Sequence, residues 1–368
     1  MSGPDCEGAS LCITDLMNRN ALADAIRDGL VRVQEHPSEP LRIFNYTEKA
    51  VFARQWDAVT TQCRGLIADA EGRVVARPFP KFFNYGEHPD GALDLAAPAE
   101  VTDKLDGSLG ILYPSADGWS IATRGSFVSE QAQHATKLFR DIYEAAWTPP
   151  RGLTCLFEII YRGNRIVCDY GDADDLFLLG AVDIETGTTY GPGTFPHYPG
   201  PVAHTFSAST LADALALAPR PGAEGVVVRL VDSDLRVKIK QDDYVALHKL
   251  VTGMNARAVW ERIADGQGVD EICMGLPEEF WPWVREVGGE LLAERARILA
   301  DSRAAHERIL AALPPGWGRK DYALAAQKSP LRAWLFMLLD DRDPSAKIWR
   351  TLRPSGDRAL VHHSEDVA

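Results

Sequence analysis

Between Leu41 and about Lys240, apolar residues fall in short runs that turn residues separate. Residues 64–79 contain two β-rich runs around an Ala-Glu-Gly turn, and residues 109–126 contain two more around an Asp-Gly turn. Four further runs have the same character: residues 153–160, 165–170, 176–184 and 225–240. This pattern predicts a first half built mainly from strands and hairpins.

Helical periodicity is predicted at about residues 20–35, 129–146 and 208–218. After Asp242 the pattern changes, because apolar residues then recur at spacings of three and four among abundant Ala, Leu, Glu and Arg. Residues 243–353 are therefore predicted to form several packed helices. The polar stretch from Ser355 has no periodicity and is predicted to be a loose tail.

The chain has 368 residues, enough for two domains, with 46% hydrophobic and 25% charged residues. No apolar run approaches the length of a membrane span, and the first thirty residues carry acids and arginines where a secretory signal would be apolar. We therefore expect a cytoplasmic protein with no membrane partner.

The six cysteines are scattered without the spacing of metal ligands, so they are expected to be thiols, with neither zinc nor a disulfide framework. The net charge of −13 argues against broad nonspecific binding to nucleic acid, which depends on neutralising phosphates. A polyanion would have to bind at local clusters of basic side chains.

Residues 104–110 read KLDGSLG, in which Lys104 precedes an Asp-Gly turn signal. An ordinary surface lysine beside an ordinary turn is one interpretation. A nucleophile is the other, and it requires help, because presenting a free lysine amine near neutral pH costs about 4 kcal/mol unless the site lowers its pKa. Nearby positive charge or a metal ion would do so.

Lys238 and Lys240 lie two apart on a predicted strand and so share one face, where they would repel unless an anion lay between them. A solvated strand face is the alternative. Glu224 precedes a glycine and three valines, a place where a carboxylate can hold a divalent ion near phosphate or can simply end a strand.

Glu158 interrupts the otherwise apolar run CLFEII, so a buried carboxylate there needs partners such as a ribose hydroxyl pair or a salt bridge. Arg64 and Lys81 have the charge to clamp phosphates. The phenylalanines next to Lys81, Phe82 and Phe83, suit either a nucleobase or a hydrophobic core.

Seven blocks then follow one another in order: RGL, KFFN, KLDGSL, TRGSF, FEII with NRIV, EGVVV and KIK. Together they resemble the covalent nucleotidyltransferase superfamily and, within it, the ATP-dependent RNA ligases of the phage RNA ligase 1 type. The resemblance extends from about Ile43 to His248.

The resemblance implies that Lys104 is adenylylated by ATP, that Asp106 and Gly107 shape the turn that presents it, and that Glu224 binds a catalytic Mg²⁺ or Mn²⁺. It assigns the other nucleotide contacts as follows: Glu158 to the ribose, Lys238 and Lys240 to the α-phosphate, Arg64 and Lys81 to phosphates or ribose, and Phe83 to the nucleotide pocket. Arg124 of TRGSF stands where the family commonly has lysine, and its fork geometry differs.

The fold class implied is α+β, with an antiparallel two-sheet nucleotidyltransferase domain at 1–248, an all-helical C-terminal domain at 249–354 and a tail at 355–368. DNA ligases and capping enzymes follow the shared core with a barrel of short strands, whereas helices follow it here. The implied activity joins RNA 5′-phosphate and 3′-hydroxyl ends. We expect it to act in RNA repair, with cleaved tRNA as one candidate substrate, and we expect the protein to be a monomer.

The helical domain is expected to select the RNA. Around Trp349 the sequence has a basic cluster of Arg342, Lys347, Arg350 and Arg353. The cluster could bind an RNA backbone and a base, or it could simply be the solvated face of a helix. Two other functions stay open. One is an RNA-binding or sensor protein that has the fold without the activity, and the other is a DNA-joining relative.

Overall fold

The computed structural model describes residues 11–274, 276, 280–355 and 358. They divide into two compact units, with the division between Ala246 and Leu247. The α-helices of the described residues are α1 (Ile13–Leu16), α2 (Arg19–Arg27), α3 (Glu48–Phe52), α4 (Glu130–Leu138), α5 (Leu211–Leu215), α6 (Asp242–Thr252), α7 (Ala256–Ala264), α8 (Val269–Met274), α9 (Trp281–Ala312), α10 (Arg319–Ala326), α11 (Arg332–Leu339) and α12 (Ser345–Thr351).

The first unit contains strands arranged in three sheets within the described residues. They are β1 (Val31–Glu35), β2 (Leu41–Tyr46), β3 (Arg64–Asp69), β4 (Val74–Ala76), β5 (Phe83–Asn84), β6 (Ala99–Lys104), β7 (Ser108–Ser115), β8 (Gly118–Ala122), β9 (Leu153–Ile160), β10 (Asp175–Asp183), β11 (Thr189–Tyr190), β12 (Gly225–Leu230) and β13 (Arg236–Lys240). The mixture of sheets and helices agrees with the predicted α+β class.

The prediction of two antiparallel sheets was wrong in detail. Sheet 1 has the order β1-β2-β3-β4, sheet 2 the order β11-β10-β9-β7-β8, and sheet 3 the order β5-β13-β12-β6. Neighbouring strands are antiparallel except β5, which runs parallel to β13. The periodicity of each strand specified its own faces, but the partner of a strand depends on contacts that are distant in sequence.

Sheet 2 is buried on both faces, as the alternation along β7 illustrates. Leu109 and Ile111 belong to a core shared with residues of sheet 1, such as Ile43. Leu112 belongs to a core shared with α4 and the π-helical turn that continues it, including Phe139. This burial holds β7 and β9, which flank the candidate site, in fixed positions.

Two predicted elements were wrong. The helix predicted at 20–35 ends at Arg27, and Val31–Glu35 is instead strand β1 paired with β2. Gly29 adopts a positive φ of 69° between them, which favours glycine and ends the helical turn. The run 165–170 forms no strand, because the amide groups of Val167 and Cys168 donate to the carboxylate of Asp106 rather than to a sheet neighbour.

The described elements of the second unit are helices, as the spacing after Asp242 predicted. One of its cores contains Val259, Ile272, Val284 and Val287. Among the helices described here, none has the length and apolar character needed to cross a membrane. Apart from Ser355 and Arg358, the predicted tail lies outside the described residues.

The expectation for the cysteines needs one correction. Cys63, Cys155, Cys168 and Cys273 are buried free thiols, but Cys12 is disulfide-bonded. Cys6, the sixth cysteine, lies outside the described residues.

Candidate functional site

Lys104 is the last residue of β6, where the chain leaves sheet 3 and turns into β7 of sheet 2. Gly225 of β12 lies opposite Lys104 on one side and opposite Lys240 of β13 on the other. Directly opposite residues share a face of a sheet, and Lys238 is two residues from Lys240 along its strand. The three lysines therefore lie on one face at one end of sheet 3.

Glu224 links two of these lysines. Its carboxylate accepts from Lys104 Nζ at 2.6 Å through Oε2 and pairs with Lys240 Nζ at 3.0 Å through Oε1. Glu224 is only 3% exposed. Gly225, which follows it, has a φ of 152°, and a Cβ there would lie 2.1 Å from the carbonyl oxygen of Ile239. The glycine therefore lets β12 approach β13 closely enough to place the carboxylate between the two amines.

The charges of this group control one another. Burial alone would lower the pKa of Lys104, but the carboxylates of Glu224 and Glu158 outweigh burial and raise that pKa above its ordinary value. Burial alone would raise the pKa of Glu224, but Lys104 and Lys240 hold it below its ordinary value. Lys104 and Glu224 therefore form a charged pair when no ligand shares the site.

Asp106 fixes the turn that follows Lys104. It is 4% exposed, and its Oδ2 accepts from the amides of Val167 and Cys168, both at 2.8 Å. Its Oδ1 accepts from the hydroxyl of Tyr244 at 2.7 Å, and its own amide donates to the hydroxyl of Tyr170 at 2.7 Å. Asp106 is thus an anchor that ties the turn to a loop and to α6.

Gly107 allows close packing against β9. A Cβ at this position would lie 2.5 Å from the carbonyl oxygen of Ile159. The Gly107 amide donates to Oε1 of Glu158 at 2.9 Å. Burial raises the pKa of Glu158 to about 8, with Lys104 opposing and Glu224 adding to the effect. A protonated carboxyl at neutral pH can both donate and accept, which suits a ribose hydroxyl pair.

Lys238 and Arg64 flank one aromatic ring. The Nζ of Lys238 lies 4.8 Å from the centroid of Phe82, and the guanidinium carbon of Arg64 lies 5.5 Å from it. Burial, Lys104 and Lys81 lower the pKa of Lys238 well below its ordinary value. Arg64 also donates to the carbonyl oxygen of Phe79 at 3.3 Å.

Lys81 lies among three rings. Its Nζ is 4.8 Å from the centroid of Trp56, 5.3 Å from that of Tyr46 and 5.7 Å from that of Phe83. Buried Arg124 joins this group, since its Nη1 donates to the Tyr46 hydroxyl at 2.7 Å. The structure therefore brings Arg124 beside the ring that Lys81 faces.

A divalent ion would meet the buried carboxylate of Glu224 here. The described residues contain no group of three or more His, Cys, Asp or Glu side chains placed to hold a metal. Mg²⁺ commonly takes one or two carboxylates and completes its shell with water and substrate phosphates. Glu224 fits that mode, provided that Lys104 gives up its contact with Oε2.

The basic cluster of the second unit differs from the prediction at its centre. Trp349 is 6% exposed and stacks on Trp260, with ring centroids 5.9 Å apart and planes 5° from parallel. It belongs to the core and has no face for a base. The four predicted cations are exposed: Arg342, Lys347, Arg350 and Arg353. Arg342 pairs with Asp340, and Arg353 pairs with Glu261.

Four residues of the site escaped the sequence analysis: Tyr46, Trp56, Tyr170 and Tyr244. Each aromatic side chain contacts a motif residue from a distant part of the chain. Tyr244 lies only four residues after Lys240, at the start of the helix that follows β13. This closeness to a motif residue is a local signal that could have identified it.

Comparison with known proteins now adds an independent finding. A family described as RNA ligase matches residues 62–244. A protein of Autographa californica nuclear polyhedrosis virus, named as a bifunctional polynucleotide kinase/RNA ligase, is 27% identical over 245 residues, which are 60% of this chain and 35% of the viral protein. The RNA ligase of Rhodothermus phage RM378 is 27% identical over 169 residues, 34% of this chain and 38% of the phage protein.

The chain thus spans only about a third of the length of these relatives. The solved RNA ligase of Naegleria gruberi with PPi is 22% identical over a match that covers 42% of this chain and 52% of the Naegleria chain, with a TM-score of 0.35. The matched segment 62–244 contains each predicted motif, from RGL to KIK. Over this segment, which is just under half of the chain, the protein matches the RNA ligase family and is similar to ligases of the phage RNA ligase 1 type.

Proposed function

We propose that this chain is an ATP-dependent RNA ligase that joins RNA 5′-phosphate and 3′-hydroxyl ends. The observation that carries the proposal is the end of sheet 3, where Lys104 meets the buried Glu224 and Lys240. This lysine, carboxylate and lysine arrangement falls within the segment that matches the RNA ligase family. It supplies a nucleophile beside the charges that phosphoryl transfer requires.

In the proposed reaction, Lys104 Nζ attacks the α-phosphorus of ATP. A P–N bond forms, the bond to the β-phosphate oxygen breaks, pyrophosphate leaves and the amine loses its proton, which gives lysyl-AMP. An RNA 5′-phosphate oxygen then attacks the same phosphorus and releases Lys104. Finally an RNA 3′-hydroxyl attacks the activated 5′-phosphate, AMP leaves and the phosphodiester forms.

We propose that Glu224 would hold a divalent metal ion, Mg²⁺ or Mn²⁺, partly through water. When bound, such an ion supplies positive charge beside the reacting phosphate and neutralises the carboxylate. The effect on Lys104 follows from its surroundings. With the charge of Glu224 offset, burial remains as the main influence, and burial lowers the pKa of the Lys104 amine.

The other side chains are proposed to hold the nucleotide. Glu158, with its raised pKa, would bond the ribose hydroxyls. Lys238 and Lys240 would contact the α-phosphate, since both share the face of sheet 3 that presents Lys104. The remaining proposed contacts are Arg64 and Lys81 with phosphates or ribose, Arg124 with the nucleotide, and Phe83 with the nucleotide pocket.

We propose residues 1–248 as the adenylyltransferase domain and 249–354 as a helical domain that selects RNA. The exposed Lys347 and Arg350, with the ion-paired Arg342 and Arg353, are the candidate phosphate contacts there. We further propose that the protein acts in RNA repair in the cytoplasm, that cleaved tRNA is one of its substrates and that it works as a monomer.

The decisive experiment uses ATP labelled at the α-phosphate. Purified protein, freed of bound AMP, is incubated with labelled ATP and Mg²⁺ or Mn²⁺ and run on a denaturing gel, beside Lys104→Ala. We expect label on the wild type and none on the variant. A folded wild type without label under either metal would overturn the ligase proposal and favour an RNA-binding protein without activity.

Substrate class is tested next. A labelled RNA with a 5′-phosphate and a 3′-hydroxyl, offered with an equal DNA strand as competitor, should be sealed in preference to the DNA. Equal or preferential sealing of DNA would instead indicate a DNA-joining relative.

A further inference from the structure

Trp56 is placed beside Lys81 by the loop that follows α3. Its ring is the nearest of the three that surround the Lys81 ammonium, and it also packs edge-on against Tyr46 and Phe83, with centroid separations of 5.0 and 5.8 Å. Trp56 thus contacts the lysine and both of the other rings around it. A cation within about 6 Å of an aromatic centroid is attracted to the face of the ring.

The cations of the site fall into two electrostatic classes. Lys104 and Lys240 share the carboxylate of Glu224. By contrast, among the residues that the structure describes, no carboxylate lies within ion-pair distance of Lys81, Arg64 or Lys238. Rings take that place: those around Lys81, and Phe82 for the other two. Burial is the main influence that lowers the pKa of Lys81 and of Arg64, and the more distant Glu87 and Glu158, respectively, oppose it.

This difference decides what each class can bind. Glu224 offsets the charge of Lys104 and Lys240, so these two lysines suit a phosphate once a metal ion offsets the carboxylate in turn. A ring attracts a cation through its quadrupole but carries no net charge, so the positive field remains available to an anion. Burial lowers the pKa of Lys81, and the nearby Tyr46 opposes this. The three rings therefore hold Lys81 without cancelling its charge, which remains available to a phosphate.

We propose that Trp56 is a positioning residue for ATP: its indole holds the Lys81 ammonium towards the two phosphates that leave as pyrophosphate. The inference rests on the proposed function, in which Lys238 and Lys240 already serve the α-phosphate. ATP carries charge beyond that phosphate and AMP does not, so the two cations not assigned to the α-phosphate, Lys81 and Arg64, suit the part of ATP that AMP lacks. Trp56 should consequently matter for ATP and not for AMP.

Two variants separate the ring from its bulk. Trp56→Leu keeps an apolar side chain but removes the π face, whereas Trp56→Phe keeps a ring. Both are made in the full chain with Lys104→Ala, so that binding is measured without reaction. Titration with ATP and with AMP, each with Mg²⁺, should show ATP binding weakened about fivefold by Trp56→Leu. AMP binding should change less than about twofold, and Trp56→Phe should recover most of the loss.

The matched control is Phe52→Leu, a ring that is 84% exposed on neighbouring α3. It should leave both affinities unchanged. A second measurement uses Trp56→Leu with Lys104 intact and offers RNA that is already adenylylated. Sealing of this substrate should proceed at the wild-type rate, because no pyrophosphate is involved.

The role of Trp56 would be overturned if Trp56→Leu weakened the binding of ATP and AMP equally, or weakened the binding of neither. It would also be overturned if Trp56→Phe lost as much ATP affinity as Trp56→Leu. Such a result leaves the ligase proposal intact when the wild type is labelled by ATP. If the Lys104→Ala parent binds neither nucleotide and the wild type takes no label, the ligase proposal and the inference about Trp56 both fail.

Discussion

The hydroxyl of Tyr244 donates a 2.7 Å hydrogen bond to Oδ1 of Asp106, a residue 138 positions earlier in the chain. The same Tyr244 ring lies 5.3 Å from the Nζ of Lys240. One aromatic side chain therefore contacts both the turn after Lys104 and a lysine that pairs with Glu224. The start of α6 is thereby tied to the geometry of the candidate nucleophile.

Tyr244→Phe should slow adenylylation of Lys104 about tenfold while keeping the ring beside Lys240. The reason is that Asp106 Oδ1 loses its donor, and a buried hydrogen bond to a charged group contributes roughly 1.5–3 kcal/mol. Single-turnover labelling with ATP measures the effect. Tyr198→Phe removes a hydroxyl that donates to the Leu176 carbonyl at 2.7 Å, and it should not slow labelling. Equal slowing in both variants would contradict a specific role for Tyr244.

Glu224→Gln should reduce metal-dependent labelling about 100-fold or more, because the amide keeps the shape of the side chain but gives up the anionic ligand. Glu100→Gln is the control, since Glu100 also pairs with a cation, Arg229 at 3.0 Å, on the same strand as Lys104. It should label at nearly the wild-type rate. Retained labelling in Glu224→Gln would exclude this carboxylate as the metal ligand.

Adenylylation should accelerate as the pH rises. Lys104 must lose a proton before it can attack. In the ligand-free site, burial lowers its pKa, but Glu224 and Glu158 outweigh burial and raise that pKa above the ordinary value. A metal ion on Glu224 would lower the pKa of Lys104 again. Below the pKa, the neutral fraction grows about tenfold per pH unit. Single-turnover rates at saturating ATP and metal, measured from about pH 6 to about pH 8.5, should therefore rise with a slope near one on a logarithmic scale at the acid end and level off once the metal-lowered pKa is passed. A flat profile, in protein that stays folded throughout, would refute deprotonation of Lys104 as the controlling event.

Gly107→Ala should abolish labelling and lower the melting temperature, because the new Cβ would lie 2.5 Å from the Ile159 carbonyl oxygen and force the turn away from β9. Gly193→Ala is the matched control, since a Cβ there meets nothing within 4 Å. Thermal unfolding and ATP labelling of both variants provide the measurement. Normal labelling by Gly107→Ala would show that the turn tolerates the added carbon.

Trp349→Ala should cost about 3–5 kcal/mol of unfolding free energy in the second unit, because it removes a buried ring stacked on Trp260. Arg350→Ala, an exposed neighbour on the same helix, should leave the free energy of unfolding nearly unchanged. If the cluster binds RNA, Arg350→Ala should instead weaken RNA affinity in low salt. Denaturant unfolding and RNA titration separate the two effects. A stable Trp349→Ala variant would contradict the core assignment.

Local patterns predicted the strands that carry the site well. The hairpin of β3 and β4 and that of β7 and β8 have the predicted turns. Strand β12 begins directly after Glu224, and β13 ends at Lys240. Each of these strands and turns is specified by a single short stretch of sequence. By contrast, residues 165–170 have a similar β-rich composition and form no strand, because Asp106 accepts from the amides of Val167 and Cys168 that a sheet would use.

Trp349 illustrates the converse limit. Its surrounding cations in sequence suggested an exposed aromatic residue, but its ring lies in a core with Trp260, 89 residues earlier. Which face of a short helix is buried depends on its neighbours, and a segment of seven residues contains too few periods to decide the question.

Local pattern and family resemblance were enough to predict the strand periodicity and the ordered motifs, and they single out Lys104, Glu158, Glu224, Lys238 and Lys240 as candidate site residues. It is apparent only in the folded chain that the described residues form three sheets, that Asp106 anchors a loop and α6, and that rings surround Lys81. Hydrogen bonds and cation–π contacts act over a few ångströms in space, whereas the residues that make them lie tens to more than a hundred positions apart in the chain.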